Sequence, residues 1–205
     1  MSQGAFTADQ LSFIIRVQGD LRNHMRAVKP RRYEHSLSVA ETAQKLALLY
    51  DVDPFEARVA GILHDWDKVL PDEELLRRSQ ERGIDLGVDL ELVLPLLHGI
   101  LAARELPEIY PELSRDVLVA IERHTTAAVD MTPLDMVVFV ADGIEPLRRS
   151  CPNIDQVRAM VGKSSLEDLF WNSFAGGISY VVDTRRYLYP GTIEIYNELV
   201  RRRAS

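Results

Sequence analysis

Thr132-Pro133-Leu134-Asp135-Met136-Val137-Val138-Phe139-Val140-Ala141-Asp142 is the stretch on which the fold class turns. Its centre, Val137-Val138-Phe139-Val140, has the β-branched and aromatic content of a buried strand. Its start says otherwise: Thr132 is a good N-cap, and Pro133 has the fixed φ of a first helical residue. Taken as a helix, the segment is apolar and ends in an acid, Asp142. Asp53-Pro54-Phe55-Glu56 opens another segment in the same way, with Asp as N-cap, Pro first and Glu third. Few stretches alternate with period two, and those rich in Val sit inside such capped helical patterns. The chain is therefore expected to be all-α.

Upstream of this segment, Ser114 can cap a helix on which Val117, Ile121 and His124 share a face. Residues 95–105 form another, with His98 in its first turn, and residues 72–82 a short polar one ended by Gly83. The Asp53 opening carries Val59, Ile62 and Leu63 into His64-Asp65. Over residues 31–50, His35, Val39, Thr42, Leu46 and Leu49 step by four and three, which turns His35 inward. The first helix, residues 7–29, opens with the capping box Thr7 and Gln10; Leu11, Ile14, Ile15, Leu21, Met25 and Val28 then recur up to Lys29-Pro30. Downstream, helices are expected at about 155–161, 165–186 and 192–203, with Gly176-Gly177 a candidate kink. No internal repeat or low-complexity tract interrupts the chain. At 205 residues one domain is expected over 1–205: the N-terminal helix, a core at about 31–150 and C-terminal helices over 151–205.

Hydrophobic content of 46% and charged content of 27% are those of an ordinary globular protein. A net charge of −7 argues against non-specific binding of DNA or RNA, yet leaves room for a local basic pocket that takes a phosphorylated small molecule. Cys151 is the only cysteine, which fits a reducing compartment. Met1 to Ala5 have neither a basic region nor an apolar core, and no apolar run approaches the roughly 18 residues of a membrane span. A cytoplasmic protein without a membrane partner is the expectation; a homodimer is left open.

His64 and Asp65 place an imidazole beside a carboxylate at the end of an apolar run. A buried ionised carboxylate is costly unless it is paired or coordinates a metal. Adjacent helical residues point about 100° apart, so both can reach one ion only near a helix end or with help from elsewhere. Of the five histidines, His35, His64, His98 and His124 lie in or at the ends of apolar helical patterns, as do Asp65 and Asp142. A single His on an apolar face is more often a core residue than a ligand. Four with two acids form a set that suits Fe, Mn, Zn or Co and lacks the thiolates of a structural zinc site. Six ligands exceed the needs of one ion and suit two that share an aspartate and a bridging water.

Arg32-Tyr33-Glu34-His35-Ser36, Ile62 to Lys68, Leu97-His98-Gly99, Arg123-His124-Thr125-Thr126 and Ala141 to Arg148 occur in that order, followed by a partial match at Tyr189-Pro190-Gly191-Thr192-Ile193 with Asn197. In these stretches the chain resembles the HD superfamily of metal-dependent phosphohydrolases. Within it, the similarity is to the bacterial YqeK-type branch, the symmetrical diadenosine tetraphosphate hydrolases. The resemblance spans roughly residues 31–197. It implies an HD-type helical bundle with additional C-terminal helices. It also implies two divalent ions, usually iron, held by His35, His64, Asp65, His98, His124 and Asp142, with Asp65 bridging. The implied reaction is cleavage of the dinucleoside polyphosphate in the middle to two ADP by a metal-bound hydroxide.

Lys68, one helical turn beyond Asp65, is the candidate catalytic cation beside it, unless it is a solvated surface lysine. Arg148 follows Glu145-Pro146 and could fork onto a polyphosphate. Arg32 and Thr125 are further candidates for substrate binding; Arg149 and Arg201-Arg202-Arg203 read as solvated charge. Three residues depart from the family pattern: Asp67 where a small residue is usual, Ala127 for a Gly and Tyr189 for a His. Asp67 has three readings: it repels phosphate, pairs with Lys68 or faces solvent. The alternatives to the lead function are an HD-type nucleotidase or phosphodiesterase acting on another nucleotide, an HD-type di-iron oxygenase, and a non-catalytic nucleotide-binding regulator.

Overall fold

A computed structural model describes residues 6–204; the Met1-to-Ala5 stretch considered above for a leader lies outside them. In chain order the described residues form α1 (Ala8–Met25), α2 (Pro30–Leu49), α3 (Pro54–Leu63), α4 (Asp72–Glu81), α5 (Leu94–Ile109), α6 (Arg115–Arg123), α7 (Pro133–Ile144), α8 (Pro152–Met160), α9 (Leu166–Asp183) and α10 (Pro190–Ala204). Short 3₁₀ turns at Trp66–Val69 and Leu90–Val93 complete them, and no strand occurs among the described residues. The architecture is all-α. None of the described helices is long and apolar enough to cross a membrane.

Local hydrogen bonds explain why Val137-Val138-Phe139-Val140 is helix. The Thr132 hydroxyl accepts the Asp135 N–H at 3.2 Å, and the Asp135 carboxylate accepts the Thr132 N–H at 2.9 Å, a closed capping box. Asp53 does the same work for α3, taking the N–H groups of Phe55 and Glu56 at 2.7 and 3.0 Å. Thr7 and Gln10 close the box at the start of α1.

The apolar α3 runs through the centre, packed against α1, α2, α6 and α7. Beyond α7 lies α9, whose Phe170 and Phe174 meet the Phe139 ring edge-on. A smaller apolar cluster, including Leu75, Ile84, Val93 and Leu97, lies between α4 and α5. At the α2–α3 crossing the backbones nearly touch: a Cβ on Gly61 would lie 2.6 Å from the Ala40 Cα and 2.9 Å from its N. Neither atom can turn aside. Gly61→Ala is therefore expected to destabilise the fold by about 3 kcal/mol, or about 8 °C in Tm. A melt within 2 °C of wild type would mean that α2 and α3 part without cost.

Several boundaries differ from the periodic pattern. Helix α1 ends at Met25, not 29, because the residue before a proline is steered out of the helical region; Lys29 has φ −135 and ψ 70. Its inward stripe is Ile14, Val17, Leu21 and Met25, while Leu11, Val28 and Ile15 (69% exposed) face outward. Helix α5 runs past Glu105 and through Pro107 to Ile109. Near a helix end the proline forfeits one bond, and Tyr110 fixes the terminus through its N–H to Leu106 O (2.7 Å) and its hydroxyl to Asp20 (2.9 Å). Helices α8 and α10 begin earlier than expected, with Pro152 and Pro190 as first residues, the position prolines favour. Helix α9 stops at Asp183, before Arg185 at φ 55, and is assigned as one helix through Gly176-Gly177.

Candidate metal centre

Five helices each bring a ligand-type side chain to one buried place. His35 comes from the start of α2, His98 from α5 and Asp142 from α7; His64 and His124 are the C-cap residues of α3 and α6. Asp65 follows His64 at φ −98 and ψ 19, where the chain leaves the α-helix for the 3₁₀ turn. That change of direction lets two adjacent residues face the same point.

The two oxygens of Asp65 look opposite ways. Oδ1 lies 2.9 Å from His98 Nε2 and 3.9 Å from His124 Nε2; Oδ2 lies 3.8 Å from Nε2 of both His35 and His64. Asp142 Oδ1 is 2.9 Å from His35 Nε2 and 3.8 Å from His64 Nε2. Two overlapping triads, His35-His64-Asp142 and His64-Asp65-His124, have all their ligand atoms within 4.8 Å of one another.

Hydrogen bonds at the outer nitrogens decide which way the lone pairs point. Nδ1 of His64 donates to Gly61 O and Nδ1 of His124 to Ile121 O, both at 2.7 Å; Nδ1 of His35 donates to Glu145 Oε1 at 3.0 Å. In the neutral ring each Nε2 is then an acceptor aimed at carboxylates. Nε2 of His64 is buried without a hydrogen-bond partner, and Nε2 of His35 faces Asp142 Oδ1 at 2.9 Å. Acceptors converging on acceptors are held together by a cation, so the donor set fits a divalent metal. His98 stands apart from the triads. Its Nε2 is 3.1 Å from His124 Nε2, and its Nδ1 lies 3.2 Å from the Lys68 ammonium.

The charge states suit the same purpose. Burial keeps His98 low and pushes His124 down to about 3, leaving both neutral as ligands must be. Burial works to raise Asp65 and Asp142, but His64 and His98 at the first and His35 and Arg148 at the second hold both carboxyls well below the usual range. Burial also opposes charge on His35, yet the facing Asp142, Asp65 and Glu145 raise it. A metal there would have a proton to displace.

Asp65, His98, His124 and Asp142 of the cluster line a cavity of about 280 Å³, as do Arg32, Lys68, Thr125 and Arg148. Arg32 Nη1 is 3.1 Å from Asp65 Oδ2. Arg148 spans Asp142, with Nε to its carbonyl at 2.9 Å and Nη2 to Oδ1 at 2.6 Å. The Thr125 hydroxyl donates to Leu96 O at 3.0 Å. Burial lowers Lys68, against the pull of Asp65. Reasoning from sequence missed Phe139, which lines the cavity one turn before Asp142, and Glu145, the fully buried acceptor for His35. The spacing of Phe139 from Asp142 on one helix could have disclosed the first.

Asp67 neither faces solvent nor pairs with Lys68. It is 1% exposed, its Oδ2 has no hydrogen-bond partner among the described residues, and Glu105 and Arg78 are the charges acting on it. Burial first, then Glu105, pushes its carboxyl up to about 7. A raised carboxyl stabilises the fold fully below its unfolded value near 4, and loses that contribution as pH rises through 7. In metal-stripped protein Asp67→Asn is therefore expected to gain over wild type between pH 5 and 8 by about 2 kcal/mol, or ~5 °C in Tm. An unchanged difference between the two pH values would contradict the buried acid. Ala127 takes φ 58, a left-handed conformation that costs an L-residue about 1–2 kcal/mol and that a glycine would adopt freely. Tyr189 packs on the small cluster between α4 and α5, and its ring leaves no room for a side chain on Gly191.

Comparison with known proteins places these observations in a family. The HD domain model matches residues 32–147. A symmetrical bis(5'-nucleosyl)-tetraphosphatase of Staphylococcus aureus is 35% identical over 170 residues, 82% of this chain and 86% of that protein. One of the same description from Halalkalibacterium halodurans is 33% identical over 180 residues, 86% of this chain and 95% of the relative. A crystal structure from Clostridium acetobutylicum, described as a predicted HD superfamily hydrolase involved in NAD metabolism, has a TM-score of 0.81 at 33% identity. It covers 97% of this chain and 100% of its own.

Proposed function

Because the chain belongs to the HD-domain hydrolases, and among them to the symmetrical bis(5'-nucleosyl)-tetraphosphatases, we propose that it is one metal-dependent hydrolase domain that cleaves diadenosine tetraphosphate and related dinucleoside tetraphosphates into two nucleoside diphosphates. The observation that carries the chemistry is the facing of Asp65, whose two oxygens serve opposite groups of histidines. His35, His64, Asp65, His98, His124 and Asp142 would hold two divalent ions. The family resemblance favours iron, and the imidazole–carboxylate set also suits Mn, Zn or Co. Bound there, the ions supply an activated water and offset charge on the phosphate oxygens.

The chain's own groups do the rest. Arg32 and Arg148 sit against different carboxylates, Asp65 and Asp142, so each can hold a phosphate on its own side of the scissile bond. Lys68, which lines the same cavity, neutralises charge that grows on the central phosphates. Phe139 closes one wall, and the Thr125 hydroxyl fixes the Leu96 carbonyl on another. At about 280 Å³ the cavity suits the polyphosphate segment, with the two nucleosides outside it. A small nucleotide, met in the cytoplasm, agrees better than DNA or RNA with cations gathered in one cavity of a chain of net charge −7.

The test is chromatography of the products from diadenosine tetraphosphate, with chelator-treated protein and with metal restored. ADP as sole product, lost on chelation and regained with Fe(II) or Mn(II), is expected. ATP with AMP would overturn symmetrical cleavage. Orthophosphate from a mononucleotide, with no turnover of the dinucleotide, would favour a nucleotidase, and dependence on oxygen would favour an oxygenase.

A further inference from the structure

Arg158 lies on α8, beyond residues 32–147 that the family model matches, and hydrogen-bonds to no side chain of the cluster. It nevertheless holds the turn after α7. Its Nε donates to Ile144 O at 2.9 Å, and its Nη2 to Glu145 O at 2.8 Å and Arg148 O at 3.1 Å; Asp155, one turn back, steadies Nη1 at 3.4 Å. These carbonyls belong to the end of α7 and the turn beyond it, where backbone acceptors lack helical partners and the macrodipole favours a cation.

The clamped turn carries two groups that bear on the metal centre. Glu145 takes the Nδ1–H of His35 and also the Leu147 N–H, at 2.6 Å, and the Ser38 hydroxyl. Arg148 reaches back to the carbonyl and carboxylate of Asp142. His35 and Asp142 form one triad with His64. Three carbonyls converging on one guanidinium fix the turn, the turn fixes Glu145 and Arg148, and those orient two ligands. We propose that Arg158 is a positioning residue for the metal centre, acting through the Ile144–Arg148 turn to hold His35 and Asp142 ready for the ion. This rests on the metal-centre reading given above.

A planar guanidinium can serve three fixed acceptors, whereas a lysine ammonium is a point donor and cannot reproduce the fork. The experiment is Zn(II) titration against a chromophoric chelator, using wild type, Arg158→Met, Arg158→Lys and Val157→Ala. Val157 is buried on the same helix, so its truncation loosens α8 without removing the guanidinium. Removing a direct outer partner of a metal ligand weakens binding about 10–100-fold; Arg158 acts one step further out, so a loss at the low end, about 10-fold, is expected for Arg158→Met. Arg158→Lys should recover part of it, and Val157→Ala should bind as wild type does even where its Tm falls as far. Arg158→Met binding within twofold of wild type, or Val157→Ala losing as much, would overturn the positioning role. A wild-type protein that binds no Zn(II) would instead overturn the metal centre itself, and the role of Arg158 with it.

Discussion

Asp65→Ala is expected to abolish metal binding and hydrolysis together. No other side chain in the cluster offers acceptors to both sides: one oxygen lies 2.9 Å from His98, the other 3.8 Å from His35 and from His64. Truncation removes the shared acceptor and leaves Asp142 as the one carboxylate of the ligand set, too little charge to hold two divalent ions among neutral imidazoles. It also strips Arg32, proposed above to hold a phosphate, of its carboxylate partner. A fall of at least about 10³-fold in kcat/KM is expected, since both the ions and the charge stabilisation go together. Metal content should drop from about two equivalents to below one. Asp65→Asn makes the informative companion, because it keeps the shape and one oxygen while removing the charge; it should retain fold and lose most activity. Hydrolysis at the wild-type rate by Asp65→Ala would show that the chemistry is elsewhere.

How far this centre was legible in the sequence depends on the range of the interaction that makes each part. His35, His64, His98, His124 and Asp142 stand at helix starts, caps and ends, and those are written locally by Thr132-Pro133, Asp53-Pro54 and Ser114. Periodicity was enough to turn His35 inward on α2. Asp67 was not legible, because its direction depends on the 3₁₀ turn at Trp66–Val69, which no local signal announced. An ordinary helix there would have put it elsewhere. Glu145 needed the chain to reverse after α7 and return its carboxylate to α2, a contact across 110 residues. The apolar residues of α1 misled for a related reason: Leu11 and Ile15 have helical spacing, but which stripe meets α3 is decided by α3. The clamp from Arg158 is also tertiary, since nothing near position 158 distinguishes that arginine from Arg149 or Arg201.

Gly99→Ala is expected to disable the centre without touching a ligand. Gly99 follows His98 on α5, where α5 meets α6 so closely that a Cβ would lie 2.6 Å from His124 Cε1, 2.7 Å from its Nδ1 and 2.7 Å from Ile121 O. The last two atoms are donor and acceptor of the 2.7 Å hydrogen bond that fixes the His124 tautomer. A methyl group therefore meets both partners of one bond. The ring cannot swing away while that bond holds, and the carbonyl is backbone near the end of α6. Relief requires either breaking the bond, which frees His124 to present the wrong nitrogen, or moving α5 away, which carries His98 from Asp65. Each route costs the centre a ligand on the same side. A displacement of about 1 Å at a catalytic group can cost 10²-fold, so kcat should fall at least about that much. Overpacking alone is expected to cost about 1–3 kcal/mol of stability. The two effects separate by measurement: thermal melts with and without chelator should show metal-dependent stabilisation in wild type and its loss in Gly99→Ala. The His98 and His124 ring proton signals should respond to Zn(II) in wild type and cease to do so in the variant. A variant that keeps both the metal-dependent rise in Tm and the wild-type rate would mean that His124 can move aside, and that its tautomer does not matter to the centre.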